Sequence, residues 1–454
     1  MTSFIAKPRE LFDRFDPKYV AFKRRAASFR YPAVKMGSLL SEPPEYGAGE
    51  AGIERVDGTT PRYIRITDID ENGELLPGLG MTAANVELQY FLRDGDLLFA
   101  RSGNTVGKSY LHESERVPYP CFYAGYMIRF RFDEKVLPKY VFAFAQTPYY
   151  REWVSAIQRS AGQPNINAQE YRSLEIPLPP LPEQRKIVAE LDAAYAAKRA
   201  ADEKATKLLA SIDDMVLKEL GIVKLPKPDT SLPSRIFTVP AREATNGRLD
   251  AYYYKSSFKE LGKKLSCCNC VPFGSLITEI YNGIDCRDYK ERGVPYLKVA
   301  NVKPGEFDFD DLKYIDLYEL GAKDIALRAG RMLLTRKGTF GNAIALSEDY
   351  DYAISSEVFC LSIKNELVDV HYLETFVNSS IGRMLCDKYK IGTIMGSLSQ
   401  EAVKALPIPL PDAKVQHRIA STASSIRTEA RKLKADASVA LEAAKRKIEA
   451  GIVR

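Results

Sequence analysis

The length, composition and charge of the chain limit the classes of protein to which it can belong. At 454 residues it is too long for one ordinary domain, and 45% hydrophobic residues are enough for packed cores. The net charge of +6, from 65 basic and 59 acidic residues, permits nucleic-acid binding without requiring it. A charged beginning, seven cysteines and no apolar run approaching 18 residues predict a cytoplasmic protein with reduced thiols, without signal peptide or membrane span.

The first half of the sequence predicts a globular region of short strands that ends in a helix. Short apolar runs bounded by turn residues predict strands at Tyr63–Ile69, Asp96–Ala100 and Ala124–Phe132. Pro138–Ile157 is helix-like, and a proline-rich stop, Ile176–Pro179, closes the region.

Three segments resemble sites of chemistry, and none fits its motif. Gly103–Ser109 looks like a phosphate-binding loop, but three residues rather than four separate its glycines. Glu42–Tyr46 resembles the Asp/Asn-Pro-Pro-Tyr/Phe motif of amino-methyltransferases, but Glu stands first and no glycine-rich cofactor loop accompanies it. Cys267–Cys270 contains a single CxxC spacing, and with only three histidines in the chain a zinc site is disfavoured. We therefore predict no catalytic residue, metal or cofactor in this chain.

The second half of the sequence repeats the first half in the same order. Five landmarks recur at offsets of 232 to 235 residues, which indicates a duplication because one short coincidence would not stay in register. The matched landmarks are Arg14–Tyr19 with Arg248–Tyr253, Arg62–Ile69 with Pro295–Val302, Leu92–Arg101 with Leu327–Arg336, Ile176–Pro179 with Ile408–Pro411, and Gln184 with Gln416. The helix-like segment also recurs, at Val370–Tyr389.

Each half ends in a long segment that predicts a helix. Pro182–Leu220 and Asp412–Ala450 contain no internal proline or glycine, and apolar or small residues recur in both at steps of three and four. This spacing is typical of a coiled coil, although Lys198 and Asp202 interrupt the first seam. The alternative is that each helix packs on its own domain. We favour a helix pair because two equally long helices can bury each other's apolar stripes.

Polar side chains in matched turns are the candidate binding residues. Glycine-rich turns expose backbone N–H groups that suit phosphates, and Arg, Asn and Gln can pair bidentately with base edges. Any one of these side chains also fits an ordinary turn. The predicted DNA contacts are Arg65, Arg101, Ser102, Asn104, Lys108, Gln163, Asn165 and Asn167 in the first half, and Lys298, Asn301, Arg336, Lys337, Thr339, Asn342, Ser397, Ser399 and Gln400 in the second.

The sequence resembles the specificity subunit of type I restriction–modification systems. The residues that carry the resemblance are Arg14–Pro17, Gly95–Gly103 with Val106–Lys108, and Ile176–Ile187 before the first long helix. It covers the whole chain but is weaker in the second half, where Asp412–Ile419 lacks the Leu-Pro-Glu-Gln run. The resemblance implies an α+β fold: two homologous target-recognition domains of mixed β-sheet with helices, joined by an antiparallel coiled coil with a pseudo-twofold internal repeat. The implied boundaries are 1–179 and 223–411 for the domains, and 180–222 and 412–454 for the helices.

The resemblance also implies a function and partners. Each domain would read one half of a bipartite, asymmetric site in double-stranded DNA, and the helices would set the spacing and dock two modification subunits. Those subunits would transfer methyl groups from S-adenosylmethionine to adenine. Restriction subunits would add translocation and cleavage with ATP and Mg, so this chain would be a non-catalytic subunit without its own cofactor. The expected partner contacts are Gln184, Arg185, Ile187, Leu191, Gln416 and Ile419.

Two other classes of function stay open from the residues alone. One is a DNA nuclease whose carboxylates form no recognisable motif, and the other is a scaffold whose duplicated domains bind protein. Cleavage of DNA by the purified chain would favour the nuclease. Absence of DNA affinity in the presence of modification subunits would favour the scaffold.

Overall fold

A computed structural model describes residues 17–25, 28–103, 105–158, 164–225, 236–241, 248–316, 327–392 and 396–453. The chain divides into two compact units. The first unit comprises Met1–Asp202 with Lys434–Arg454, and the second comprises Glu203–Leu433. Each unit therefore holds one copy of the duplicated region and a part of each long helix. The fold is α+β, with mixed sheets and helices in both units.

The first unit contains short strands and short helices ahead of the long helix. Its strands are β1 (Ala33–Lys35), β2 (Glu45–Tyr46), β3 (Ile53–Glu54), β4 (Arg62–Ile64), β5 (Met81–Thr82), β6 (Leu97–Ala100), β7 (Ser109–Leu111), β8 (Cys121–Tyr123), β9 (Met127–Phe130) and β10 (Glu175–Pro177). Its short helices are α1 (Pro17–Arg25), α2 (Pro138–Phe144), α3 (Pro148–Ile157) and α4 (Ala168–Arg172).

Two sheets and a strand pair make up the first unit. One sheet has the order β2-β9-β6-β7 and is antiparallel, and the other has the order β3-β5-β4-β8, with β4 and β8 parallel. β1 pairs with β10, so the proline-rich stop is itself a strand. All four residues of β6 are buried, as expected for a continuous apolar run that is covered on both faces.

The second unit repeats this plan. Its strands are β11 (Cys270–Pro272), β12 (Ile277–Asn282), β13 (Val294–Leu297), β14 (Val302–Lys303), β15 (Glu306–Phe307), β16 (Lys313–Ile315), β17 (Arg331–Thr335), β18 (Ala343–Ala345), β19 (Ala353–Ile354), β20 (Val358–Ile363) and β21 (Pro407–Pro409). Its short helices are α6 (Ser256–Leu265), α7 (Val370–Asn378), α8 (Ser380–Tyr389) and α9 (Gln400–Lys404).

One four-stranded sheet has the same strand order in both units, whereas the other sheet has three strands in the second unit, β16-β13-β19, beside a separate pair β14-β15. The sheet β12-β20-β17-β18 corresponds to β2-β9-β6-β7, and β13 and β19 are parallel as β4 and β8 are. β11 pairs with β21 in the same way as β1 with β10. The predicted duplication is thus confirmed in topology as well as in sequence.

Each helix-like segment of the sequence is two helices rather than one. Thr147 accepts a hydrogen bond from the Tyr150 N–H and caps α3, and Pro148 at its first turn cannot continue α2. In the second unit Ser379 caps α8 through the Gly382 N–H. The apolar periodicity predicted one helix in each segment, whereas an N-cap residue in the middle of the segment divides it into two helices.

The two long helices are α5 (Leu181–Glu219) and α10 (Ala413–Ile452). In the first unit Lys447 Nζ lies 2.5 Å from Glu190 Oε1, and in the second Arg418 Nη2 lies 2.6 Å from Glu219 Oε2. In each unit the early part of one helix lies beside the late part of the other, which is the antiparallel arrangement. Within the described ranges, no helix combines the length and apolarity needed to cross a membrane.

Candidate nucleic-acid interface

Arg101 is the first residue after β6 and is held in place by backbone and ring contacts. Its N–H donates to the Tyr126 carbonyl at 2.9 Å, and its guanidinium carbon lies 4.9 Å from the centroid of the Tyr46 ring. Its Nε is buried without a hydrogen-bond partner, and no described residue accepts from its terminal nitrogens. Tyr126 is 67% exposed and Tyr46 40%. Arg101 is therefore braced against a ring, with its terminal N–H groups free to donate.

The segment 164–168 lies against the turn that follows Arg101. Ser102 forms a β-bridge with Asn165, and the Tyr46 hydroxyl accepts from the Ala168 N–H at 3.2 Å. Asn167 caps α4 by accepting from the Glu170 N–H at 2.9 Å, so its side chain has a structural role. The predicted contacts Asn104 and Gln163 fall outside the described residues.

The turn that resembles a phosphate-binding loop uses its amides inside the protein. The N–H groups of Gly103, Val106, Gly107 and Lys108 all donate to backbone carbonyls of the first unit. The Lys108 side chain is 11% exposed, and its Nζ donates to the Ile69 carbonyl at 3.0 Å and pairs with Glu71 at 2.8 Å. Lys108 is nearly buried and already paired within the fold, and its contact with DNA stays a prediction.

Arg336 occupies the matched position in the second unit, directly after β17. Its N–H donates to the Glu357 carbonyl at 2.9 Å, and its guanidinium carbon lies 5.3 Å from the centroid of the Phe359 ring. Nη1 donates to the Ser356 carbonyl at 3.3 Å, while Nε is buried without a partner, as in Arg101. The two copies therefore place an arginine that packs against an aromatic ring at the same point of two corresponding sheets.

The surroundings of Arg336 are more polar than those of Arg101. Lys337 and Thr339 are exposed on the turn, and Ser397 forms a β-bridge with Lys337. Gln400 donates to Asn282 Oδ1 at 3.1 Å. Ser399 caps α9 through the Ala402 N–H, so its hydroxyl acts in the fold as Asn167 does in the first unit.

Four residues beside the two arginines were not predicted from the sequence: Tyr46, Tyr126 and Glu357, which are exposed, and Asn282, which is partly buried. In the antiparallel pairs β6 with β9 and β17 with β20, the arginine follows the first strand and lies beside the residue that precedes the second. That residue is Tyr126 in the first unit and Glu357 in the second. Asn282 likewise matches Tyr46 at the end of the outer strand. We call Tyr46, Arg101, Ser102, Tyr126 and Asn165 the first cluster, and Asn282, Arg336, Lys337, Glu357 and Gln400 the second cluster. A glycine beside Tyr46, Tyr126 and Asn282 was the only signal in the sequence.

Two predicted contacts in the second half are buried and structural. Asn301 accepts from the Lys298 N–H at 2.9 Å and donates to the Asp308 carbonyl at 2.8 Å. Asn342 donates to the Val302 carbonyl and accepts from Arg383. Both amides are buried and hydrogen-bonded within the fold, and their contact with DNA stays a prediction.

Two predicted basic contacts are tied to carboxylates of their own unit. The Arg65 guanidinium binds Asp68 through Nε at 3.1 Å and Nη2 at 3.0 Å. Lys298 Nζ lies 3.2 Å from Asp311 Oδ2. Both residues precede matched 3-10 turns and lie outside the two clusters.

The matched glutamines of the long helices lock the proline-rich stops in place. Gln184 accepts from the Leu137 N–H and donates to the Pro179 carbonyl, each at 2.9 Å. Gln416 makes the same two bonds, with Asp369 and Pro411, at the same distances. Both side chains are buried and have this structural role, and their contact with a partner subunit stays a prediction.

The other residues predicted to contact a partner subunit differ in how far they are buried. Leu191 and Ile419 are fully enclosed in the cores of their units, and Ile187 is partly buried against the core of the first unit. The apolar atoms of Leu191 and Ile419 are covered within their own units, whereas Ile187 keeps part of its surface exposed. Arg185, by contrast, is exposed on α5.

The motifs that resembled sites of chemistry have structural partners. Glu42 accepts from Arg131 Nη1 at 2.8 Å, and Glu45 pairs with Arg129, so the methyltransferase-like segment is an ion-pair cluster. In the part of the chain that the structure describes, no group of three or more His, Cys, Asp or Glu is arranged to hold a metal ion. Burial raises the pKa of the Cys268 thiol to about 12, which disfavours a thiolate ligand.

Comparison with known proteins identifies the family to which this duplicated fold belongs. A family model described as the type I restriction modification DNA specificity domain matches residues 82–207 and 283–442. The EcoKI specificity subunit of Escherichia coli K12 is 24% identical over 246 residues, covering 53% of this chain and 47% of that protein. The StySPI specificity subunit of Salmonella potsdam is 22% identical over 336 residues, covering 71% and 66%. The alignments thus span about half and two thirds of these relatives.

A chain in a solved structure of a type I restriction–modification system is also similar. It is 16% identical, with a TM-score of 0.47, and the match covers 93% of this chain and 97% of that one. The two stretches matched by the family model make up more than half of the sequence and reach into both copies of the duplication. The chain therefore belongs to the type I restriction modification DNA specificity domain family.

Proposed function

We propose that the chain recognises DNA for a type I restriction–modification complex, with each unit reading a different half-site. The observation that carries this proposal is the pair Arg101 and Arg336. At the same point of two homologous sheets, an arginine is braced against an aromatic ring and keeps guanidinium N–H groups without a protein partner. Membership in the DNA specificity domain family supports the proposal.

A braced arginine suits recognition of a base edge. Its planar fork matches the O6 and N7 acceptors of guanine in the major groove, and it matches phosphate oxygens as well. Because the ring contact already orders the side chain, less conformational entropy is lost when the guanidinium binds.

The two units are proposed to read different bases because their clusters differ in chemistry. An exposed tyrosine lies opposite Arg101, whereas a carboxylate lies opposite Arg336. Tyr46 in the first cluster is matched by Asn282 in the second. Two different sets of donors and acceptors on one fold would give an asymmetric, bipartite site.

Catalysis is proposed to reside in partner subunits. Two modification subunits would bring S-adenosylmethionine and methylate adenine, and restriction subunits would bring ATP- and Mg-dependent cleavage. Exposed faces of α5 and α10, Arg185 among them, would dock the modification subunits, and the helices would set the distance between half-sites.

The test is methylome sequencing of cells that express the chain with its modification partner. Arg101→Ala should weaken recognition of one half-site and Arg336→Ala the other, each by about 1–3 kcal/mol. Arg93→Ala and Arg328→Ala are matched controls, since both arginines are exposed at the opposite ends of the same strands. If both cluster variants weaken binding to every sequence equally, the arginines contact phosphates and the half-site assignment is wrong. DNA cleavage or methylation by the purified chain alone would overturn the non-catalytic role.

A further inference from the structure

Glu357 is a carboxylate at the centre of the second cluster, where electrostatics would not favour one. It precedes Val358, which pairs with Thr335, and its carbonyl accepts from the Arg336 N–H at 2.9 Å, so Glu357 and Arg336 are neighbours at the end of this strand pair. Lys337 follows on the same turn. On a surface that binds a polyanion, an exposed carboxylate weakens binding unless it accepts a specific hydrogen bond.

The carboxylate of Glu357 is not used by the fold. It is exposed, and no described residue lies within ion-pair distance of it. Arg336, its nearest cationic neighbour across the ladder, is instead held against Phe359 and donates to the Ser356 carbonyl. The Glu357 carboxylate and the Nη2 group of Arg336 therefore remain available to a ligand.

The first unit shows that the fold does not require an acid at this position. Tyr126 occupies the matched place, with the same backbone hydrogen bond from the arginine at 2.9 Å. The carboxylate of Glu357 therefore has no structural purpose that the homologous copy shares. A role in recognition accounts for its place.

The chemistry of base edges singles out cytosine. In the major groove cytosine presents the N4 amino group as a donor without an acceptor of its own, which suits a carboxylate. Adenine also presents an amino donor, but its neighbouring N7 acceptor would repel the carboxylate. Guanine and thymine present only acceptors and a methyl group there.

We propose that Glu357 is a specificity-determining residue that accepts a hydrogen bond from the N4 amino group of a cytosine, while Arg336 donates to the paired or adjacent guanine. The proposal rests on the proposed DNA recognition by the second unit. It assigns a G·C pair to the half-site that this unit reads. The first unit, with Tyr126 at the matched position, has no such requirement.

The experiment compares Glu357→Ala, Glu357→Gln and the control Glu366→Gln, each in the full chain with its modification partner and S-adenosylmethionine. Glu366 is exposed in the same unit beyond the far end of β20, about 20 Å of strand away. Competition binding and methylation are measured on duplexes in which each base pair of the second half-site is varied. Glu357→Ala should reduce the preference for one C·G pair by about 5- to 150-fold.

Two further outcomes decide the proposal. Glu357→Gln should shift the preference at that pair toward adenine, because an amide can both accept from N6 and donate to N7. If every variant keeps the same half-site, or if Glu357→Ala raises affinity equally for all sequences, the assignment of Glu357 is overturned while DNA recognition by the chain stands. A wild-type complex without sequence preference would overturn both.

Discussion

The contact between the globular region and its long helix is built twice, with different chemistry in the two units. In the first unit Phe142 of α2 packs on Tyr195 of α5, with ring centroids 6.3 Å apart. In the second, Glu374 of α7 and Arg427 of α10 stand at the matched positions and form an ion pair of 2.7 Å. One place in a duplicated fold thus holds an aromatic pair in one copy and a nearly buried ion pair in the other.

The backbone around this contact did not change with the chemistry. Gly73 and Gly305, at matched turns, have φ of +79° and +75°, which side chains rarely adopt. A Cβ on Gly73 would meet Phe142 at 2.7 Å, and one on Gly305 would meet Glu374 at 2.6 Å. Both units therefore keep a glycine turn packed closely against the short helix. The pair of side chains below the turn differs between the units but occupies the same space.

The comparison predicts a different vulnerability for each unit. An aromatic pair loses packing when it is truncated, whereas a buried ion pair leaves an uncompensated charge. Glu374 is 2% exposed, so it depends on Arg427 and on a 2.9 Å hydrogen bond from Asn378.

The largest expected effect comes from breaking the ion pair. Arg427→Ala should lower the free energy of unfolding of the second unit by about 3–5 kcal/mol, because the Glu374 carboxylate loses its counter-charge. The double variant Glu374→Phe with Arg427→Tyr, which reproduces the aromatic pair of the first unit, should recover most of that loss of stability. Hydrogen exchange of the α7 amides in the full chain reports the stability of this unit. The control is Arg431→Ala, one turn further along α10 and exposed; a loss no larger than that of the control would contradict the prediction.

A smaller and equal effect is expected at the matched glutamines, where the two units do not differ. Gln184→Ala and Gln416→Ala each leave a buried N–H and a carbonyl without partners, so each should cost about 1–3 kcal/mol in its own unit. Urea unfolding followed by hydrogen exchange in each unit measures both values. Gln169→Ala, at an exposed site on α4, is the control. If the two variants lower the free energy of unfolding by amounts that differ by more than about 1 kcal/mol, the two glutamines do not stabilise their units equally.

The smallest expected effect is the pH dependence that Glu374 adds to the stability of the second unit. Burial raises the pKa of the Glu374 carboxyl above its ordinary 4.5, against the opposing effects of Arg427 and Asn378. The folded state then binds a proton at a pH where the unfolded chain has released it. The contribution of Glu374 to stability therefore falls as pH rises from 4.5 to the folded-state pKa, by at most about 1.4 kcal/mol per pH unit.

This pH dependence is measured against Glu374→Gln, which has no titrating group at that position. The stability of the wild type relative to this variant should decrease as pH is raised from 4.5. A Phe142→Leu variant of the first unit should show no such trend, because neither partner of that contact is a carboxyl. A constant difference between wild type and Glu374→Gln above pH 4.5 would contradict the raised pKa.

Features that depend on local pattern were predicted well from the sequence. The long helices predicted at Pro182–Leu220 and Asp412–Ala450 are Leu181–Glu219 and Ala413–Ile452 in the structure. Uninterrupted helix-forming residues and the glycine after the first helix define these limits, and neither depends on distant contacts. The duplication was also recognised from the sequence, because the repeated segments are strand ends, turns and a proline-rich stop that both copies of the fold require.

Roles that depend on which side chain becomes buried were not predictable. Lys108, Asn301 and Asn342 lie in polar turns like those of Arg101 and Arg336, yet tertiary contacts enclose the first three and leave the two arginines at the surface. Gln184 and Gln416 were recognised as matched, but only the fold shows that they bind backbone groups of the proline-rich stops.

The sequence by itself determined the α+β class, the internal repeat, the long helices and the family resemblance, because each is written in spacing along the chain. Only the tertiary structure decided which residues meet at the candidate interface. Strand pairing sets Tyr126 opposite Arg101 and Glu357 opposite Arg336 across 25 and 21 positions of sequence, and no periodicity encodes that register. A polar residue caps a helix, hydrogen-bonds to buried backbone groups or stays exposed as a donor, depending on the neighbours that packing brings to it. Those neighbours are distant in the chain.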